Sequence, residues 1–128
     1  MVEKNILVVD DEEMIRNLMK EAFSKAGYKV RTAESAETAL KIMDGEKFWV
    51  MLLDLNLPGM NGVELCRKIR NDYPLAILFA VTGYASLFEL SECREAGFDD
   101  YFTKPVTLSL LLEAVNRAFE RLERWKKK

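Results

Sequence analysis

Eleven residues, Trp49 to Gly59, reading WVMLLDLNLPG, constrain the fold more than any other part of the chain. Phe48 to Leu53 run apolar without alternation, as a strand covered on both faces does. Such a strand is central to its sheet. It ends on Asp54, and Leu57-Pro58-Gly59 then breaks the apolar run with a turn in which proline precedes glycine. A carboxylate therefore stands at the carboxyl end of a buried parallel strand, where open α/β sheets hold ligands and chemistry. Taken alone, Asp54 reads equally well as the ordinary polar residue that closes a strand.

The rest of the chain supplies four more strands and five helices. Asn5 to Val9 reads as a short buried strand, followed by Asp10-Asp11-Glu12-Glu13, an acidic run of the kind that starts a helix. Met14, Ile15, Leu18, Met19, Ala22, Phe23 and Ala26 then share one helical face, closed by Gly27. Tyr28 to Arg31 alternates as a strand. Ser35 caps a second helix with Ala36, Ala39, Leu40 and Met43 inward, ended by Gly45. A third helix opens at Asn61 or Gly62, turns Val63, Leu65, Cys66 and Ile69 to the core, and stops before Pro74. Ala76 to Val81 is another continuous apolar strand, ending on Thr82-Gly83. A helix with a thin apolar stripe covers about Leu87 to Ala96. Tyr101-Phe102 is the last strand, ended by Lys104-Pro105, and Leu108, Leu111, Leu112, Val115, Phe119 and Leu122 mark the final helix.

Strict alternation of strand and helix implies a parallel sheet with right-handed crossovers and helices on both faces, which is a single doubly wound α/β domain. Residues 1–122 make up that domain. Residues 123–128 form a basic tail, either a solvated helix end whose cations suit the C-terminal dipole or the start of a linker.

Composition removes several functions. The 21 acidic and 19 basic residues leave a net charge of −2, so no basic field draws the chain to nucleic acid. Histidine is absent, which excludes a His-based zinc site, a His-centred triad and a phosphohistidine carrier. Cys66 and Cys93 lack CxxC spacing and read as reduced thiols. The amino terminus is too acidic after its short apolar run for a signal peptide, and no stretch approaches the roughly 20 apolar residues that cross a bilayer. A cytoplasmic protein with no membrane partner is expected.

In this topology the carboxyl ends of all strands lie along one edge. That edge gathers Asp10 and Asp11 from the first strand, Asp54 from the third, Thr82 from the fourth and Lys104 from the fifth. Three carboxylates in one cleft repel one another unless a cation intervenes. Oxygen ligands without His or Cys favour Mg²⁺ over zinc. Asp54 then becomes a nucleophile towards phosphorus, with Lys104 as a fixed charge and Thr82 as a hydroxyl donor for the transferring oxygens. The product is an acyl phosphate on the protein. Thr82 also reads as a simple strand-to-loop polar residue, and Tyr101 as a half-buried strand-end aromatic.

VVDDEE, LLDLNLPGMNG, VTGYAS and AGFDDYFTKP, in this order and at these strand ends, resemble the receiver domain of two-component response regulators, the CheY-like family. The similarity runs from about Asn5 to Leu122. It implies a flavodoxin-like (βα)5 domain with strand order 2-1-3-4-5, and phosphorylation of Asp54 by a sensor histidine kinase or phosphotransfer protein. The resemblance makes Asp11 a direct Mg²⁺ ligand and Asp10 one acting largely through water, with Asp54 and the backbone carbonyl of Asn56 completing the set. Lys104 pairs with the phosphoryl oxygens, and the Lys104-Pro105 bond is typically cis. Thr82 and Tyr101 form a switch pair that alters the face made by the fourth helix, fifth strand and fifth helix. That face then engages a downstream protein or output domain, or pairs two phosphorylated copies.

The resemblance also directs attention to Asn56 and Tyr84 as neighbours that govern the lifetime of the acyl phosphate. A bulky Tyr84 that shields the phosphoryl group implies slow hydrolysis. Partner specificity in the family often lies around Met14, Arg16, Asn17 and Lys20. Two other readings stand beside the switch. A docking module that is never phosphorylated would usually lack one of the acids, Thr82 or Lys104, and none is missing. A haloacid-dehalogenase-type phosphohydrolase would want an acid where Asn56 stands. The chain is not an enzyme acting on other molecules, but catalyses transfer to, and hydrolysis from, its own Asp54.

Overall fold

The computed structural model describes residues 3–83 and 87–126. Ten elements alternate: β1 (Asn5–Val9), α1 (Glu13–Lys25), β2 (Lys29–Ala33), α2 (Ala36–Gly45), β3 (Val50–Asp54), α3 (Gly62–Asp72), β4 (Ile77–Thr82), α4 (Leu87–Ala96), β5 (Asp100–Thr103) and α5 (Leu108–Lys126). The sheet runs β2-β1-β3-β4-β5, parallel throughout, as the sequence leads one to expect.

The unbroken apolar runs of β1, β3 and β4 exist because the sheet has two cores. Leu7, Val9, Met51, Leu53, Leu78 and Ala80 pack against Ala36, Ala39 and Met43 of α2, Leu65, Cys66 and Ile69 of α3, and Cys93 and Ala96 of α4. Their neighbours Ile6, Val8, Val50, Leu52, Ile77, Phe79 and Val81 pack against Met19 and Phe23 of α1 and Leu111, Val115 and Phe119 of α5. Side chains alternate across a strand, so a layer on each face demands apolar residues at every position.

Local signals set the helix starts near the site. Asn61 and Glu64 form a reciprocal capping box at the head of α3: the Asn61 side chain accepts from Glu64 N at 2.9 Å, and Glu64 Oε1 accepts from Asn61 N at 3.2 Å. Such a cap contributes about 1 kcal/mol, and burial of Leu65 and Ile69 about 2 kcal/mol each. Gly62 is fixed by space rather than by dihedral. A Cβ there would stand 2.1 Å from the Asp54 carbonyl oxygen. Only glycine lets α3 begin so close to the end of β3.

Two expectations shift. On α1 the buried residues are Met19 and Phe23, whereas Met14 is 80% and Leu18 40% exposed, so the apolar face is narrower than the spacing implies. Tyr28 precedes β2 and stacks its ring on Phe119 at 5.3 Å between centroids, while the strand itself runs on to Ala33. Helix α5 continues through Lys126, so 123–126 form its last turn, in keeping with the helix-end alternative for the tail.

Candidate functional site

The carboxyl edge of the sheet assembles the residues the motifs single out. Asp10 follows β1, Asp54 ends β3, Thr82 ends β4 and Lys104 follows β5. Register explains their convergence: Val9 pairs with Leu53, Asp54 with Val81 and Thr82 with Thr103. Asp10, Asp54 and Thr82 are all buried, while Asp11 is exposed.

Lys104 holds the centre. Its Nζ lies 3.0 Å from Asp10 Oδ2, 2.9 Å from Glu12 Oε1 and 3.3 Å from Asp54 Oδ2. The backbone aims it, because Lys104 N donates to the Thr82 carbonyl at 2.7 Å; the Lys104-Pro105 peptide bond that follows is cis. Asp54 Oδ1 in turn accepts from Asn56 N at 3.1 Å, and Asp10 Oδ1 from Glu12 N at 2.9 Å. Both acids are thus oriented by backbone amides two residues downstream.

Burial governs the charges here. It raises the Asp54 carboxyl above its ordinary range and the Asp10 charge adds to the rise, while the Asn56 amide and Lys104 oppose it. For Lys104 burial works against the ammonium, yet the Glu12 and Asp10 carboxylates and the charge of Asp54 outweigh it and hold the proton more tightly than usual. The pocket therefore favours one extra positive charge.

The donor set suits a hard divalent ion. One carboxylate oxygen from each of Asp10, Asp11, Glu12 and Asp54 lies within 4.8 Å of all the others. Asp10 Oδ2 is buried and, although an ion-pair neighbour of Lys104, receives no hydrogen bond of acceptable geometry. Oxygen donors alone, one of them underused, fit Mg²⁺ better than zinc. Glu12 is the member that sequence reasoning did not assign; its position directly after the Asp10-Asp11 pair was the available signal.

Tyr101 stands apart from the cluster. It lies on β5, 43% exposed, beside a cavity of about 490 Å³ lined with Leu90, Ser91, Arg94, Phe98, Asp99 and Asp100. Tyr84 lies outside the described residues, and so does the shielding expected of it. A second cavity, of about 500 Å³ and lined by Trp49, Leu75, Leu122 and Trp125, opens at the amino ends of the strands and includes no residue of the cluster. Among the described residues no helix is long and apolar enough to cross a membrane.

Known proteins resemble this chain in sequence and fold. A cyclic di-GMP phosphodiesterase of Thermotoga maritima is 36% identical over 113 residues, covering 88% of this chain; the chain spans 30% of that protein's length. The response regulator receiver domain protein (CheY-like) of Methanospirillum hungatei JF-1 is 36% identical and superposes with a TM-score of 0.91, over 96% of this chain and 98% of its own. A response regulator of Burkholderia pseudomallei, solved with a phosphorylated aspartic acid, a calcium ion and citrate, is 32% identical with a TM-score of 0.83, over 95% of this chain and 72% of its own. Residues 6–116 match the family model described as the response regulator receiver domain, and to that family the chain belongs.

Proposed function

We propose that the chain is a phosphorylation-driven switch in which Asp54 accepts a phosphoryl group from a sensor histidine kinase or phosphotransfer protein. The observation that carries this reading is the buried Asp54 carboxylate, oriented by the Asn56 amide on one oxygen and facing Lys104 on the other. A carboxylate with one oxygen tethered and a cation alongside is prepared for in-line attack on phosphorus. The new P–O bond forms at Asp54 as the P–N bond of the phosphoimidazole breaks, and the electron pair of that bond stays with the donor nitrogen. Burial keeps the Asp54 carboxyl above its ordinary range, which makes the carboxylate a better nucleophile once ionised.

Asp10, Asp11, Asp54 and the Asn56 carbonyl would hold Mg²⁺, which when bound supplies positive charge to offset both the carboxylates and the phosphoryl oxygens. Lys104 would follow the charge from Asp54 to the transferred group. The Thr82 hydroxyl donates to the same oxygens, and Tyr101 reports its movement on the α4–β5–α5 face. The cavity beside Tyr101 supports that face as the seat of a downstream protein, an output domain or a second phosphorylated copy. The receiver unit spans 1–122, with the basic last turn of α5 and the residues after it as a tail.

Amide chemical shifts on adding beryllofluoride with Mg²⁺ test the switch. Changes at Asp54 and Thr82 that spread to Tyr101 and α5 are expected. Changes confined to the acidic cluster would contradict a switched face and favour a static docking module.

A further inference from the structure

The loop from β3 to α3 is held from outside by one side chain of α2. Glu37, in the first turn of α2, accepts a hydrogen bond at Oε2 from Met60 N at 3.2 Å. The same oxygen stands 3.2 Å from where a Cβ on Gly59 would be, and Gly59 has a φ of +72°. The left-handed turn at Gly59 thus presents the backbone of Met60 to a carboxylate 23 positions earlier in the chain. Leu55 and Leu57, buried in the core, fix the start of the loop, and the Asn61 capping box fixes its end. Between these anchors, Pro58 to Met60 are exposed or half-buried, and Glu37 bonds to the backbone in that span.

We propose that Glu37 is a positioning residue for the phosphoryl-accepting site: its carboxylate holds the β3–α3 loop in the shape that sets Asn56 against Asp54. The inference rests on the reading of Asp54 as the phosphoacceptor. Asn56 is the link, because its N–H restrains Asp54 Oδ1 and its peptide belongs to the loop that Glu37 clasps. Releasing Met60 frees the Pro58–Met60 span, which bears on the Asn56 peptide through Leu57, so the shift at Asn56 is small; partners one step removed from a metal or nucleophile commonly govern affinity through such small shifts.

Wild type, Glu37→Gln and Glu37→Ala are compared by the Mg²⁺ concentration that half-saturates phosphorylation by acetyl phosphate, and by hydrogen exchange at the Met60 amide. Gln keeps an acceptor oxygen and removes the charge; Ala removes both. The expected result is wild-type-like behaviour for Glu37→Gln, against a rise of about tenfold in half-saturating Mg²⁺ and faster Met60 exchange for Glu37→Ala. Equal rises in both variants would assign the effect to long-range charge and overturn the positioning role. An unchanged Mg²⁺ requirement in Glu37→Ala with wild type still phosphorylated would overturn it too, leaving the phosphoacceptor intact. If wild type itself is not phosphorylated, the phosphoacceptor reading fails and the inference fails with it.

Discussion

Lys104 Nζ stands 3.3 Å from Asp54 Oδ2 and 3.0 Å from Asp10 Oδ2, so a single ammonium compensates two buried carboxylates from different strands. Removing one partner of a buried ion pair costs more than the pair contributes, because the charge left behind has no water to turn to. Lys104→Met is expected to lower stability by about 3 kcal/mol at neutral pH in chelator. Excess Mg²⁺ narrows the loss, since a cation that binds only the folded state stabilises it. Urea unfolding with and without Mg²⁺ measures both. Equal midpoints for the two proteins in chelator would contradict the account.

Asp54 gives the opposite sign. Burial raises its carboxyl above the ordinary range, so the folded chain holds the proton to higher pH than the unfolded chain. Stability from this group is complete below the unfolded pKa and is lost as pH rises through the folded one. Asp54→Asn carries no such loss. The variant should match wild type near pH 4, then exceed it increasingly towards pH 7, in unfolding midpoints measured in chelator. A variant less stable than wild type at pH 7 would refute the burial argument.

Gly62 tests the approach of α3 to the site. The atoms nearest an added Cβ are the Asp54 carbonyl oxygen at 2.1 Å and the Asp54 carbonyl carbon and Leu55 Cα at 2.8 Å, all backbone and none able to turn aside. Gly62→Ala is expected to cost about 3 kcal/mol or more and to lower the melting temperature by about 10 °C. Circular dichroism melts check this; a loss under about 1 kcal/mol would mean that α3 can slide.

How far the sequence reveals this molecule depends on the range of each interaction. The β3 run, its turn and the βα alternation are local, and a parallel, doubly wound sheet followed from them; its order, 2-1-3-4-5, came from the family resemblance. Asp10, Asp54, Thr82 and Lys104 were legible because topology alone brings strand ends together. Met14 and Leu18 were not, because helical spacing finds an apolar stripe without knowing how far the sheet reaches beneath it, and the first turns of α1 lie at the carboxyl edge. Glu12 and Glu37 escaped for another reason: their partners, Lys104 and Met60, lie 92 and 23 positions away. No local pattern encodes such pairs.

Burial pushes the Cys66 thiol up to about 12, well above the range in which an exposed thiol ionises. Native protein should therefore leave Cys66 unalkylated by iodoacetamide at pH 8, with full labelling in denaturant. The unfolded thiol ionises first, so the stability that Cys66 confers falls as pH rises from about 9, by up to about 1.4 kcal/mol per unit. Comparing wild type with Cys66→Ala across pH 8 to 10 isolates that slope. Rapid native labelling of Cys66 would show that α3 opens readily.

The central claim is that Asp54 accepts a phosphoryl group, and intact mass after incubation with acetyl phosphate tests it most directly. Wild type with Mg²⁺ should gain one phosphoryl group, while wild type in chelator and Asp54→Asn with Mg²⁺ should gain none. A wild-type protein that stays unmodified in Mg²⁺, or an adduct that persists in Asp54→Asn, would contradict the account.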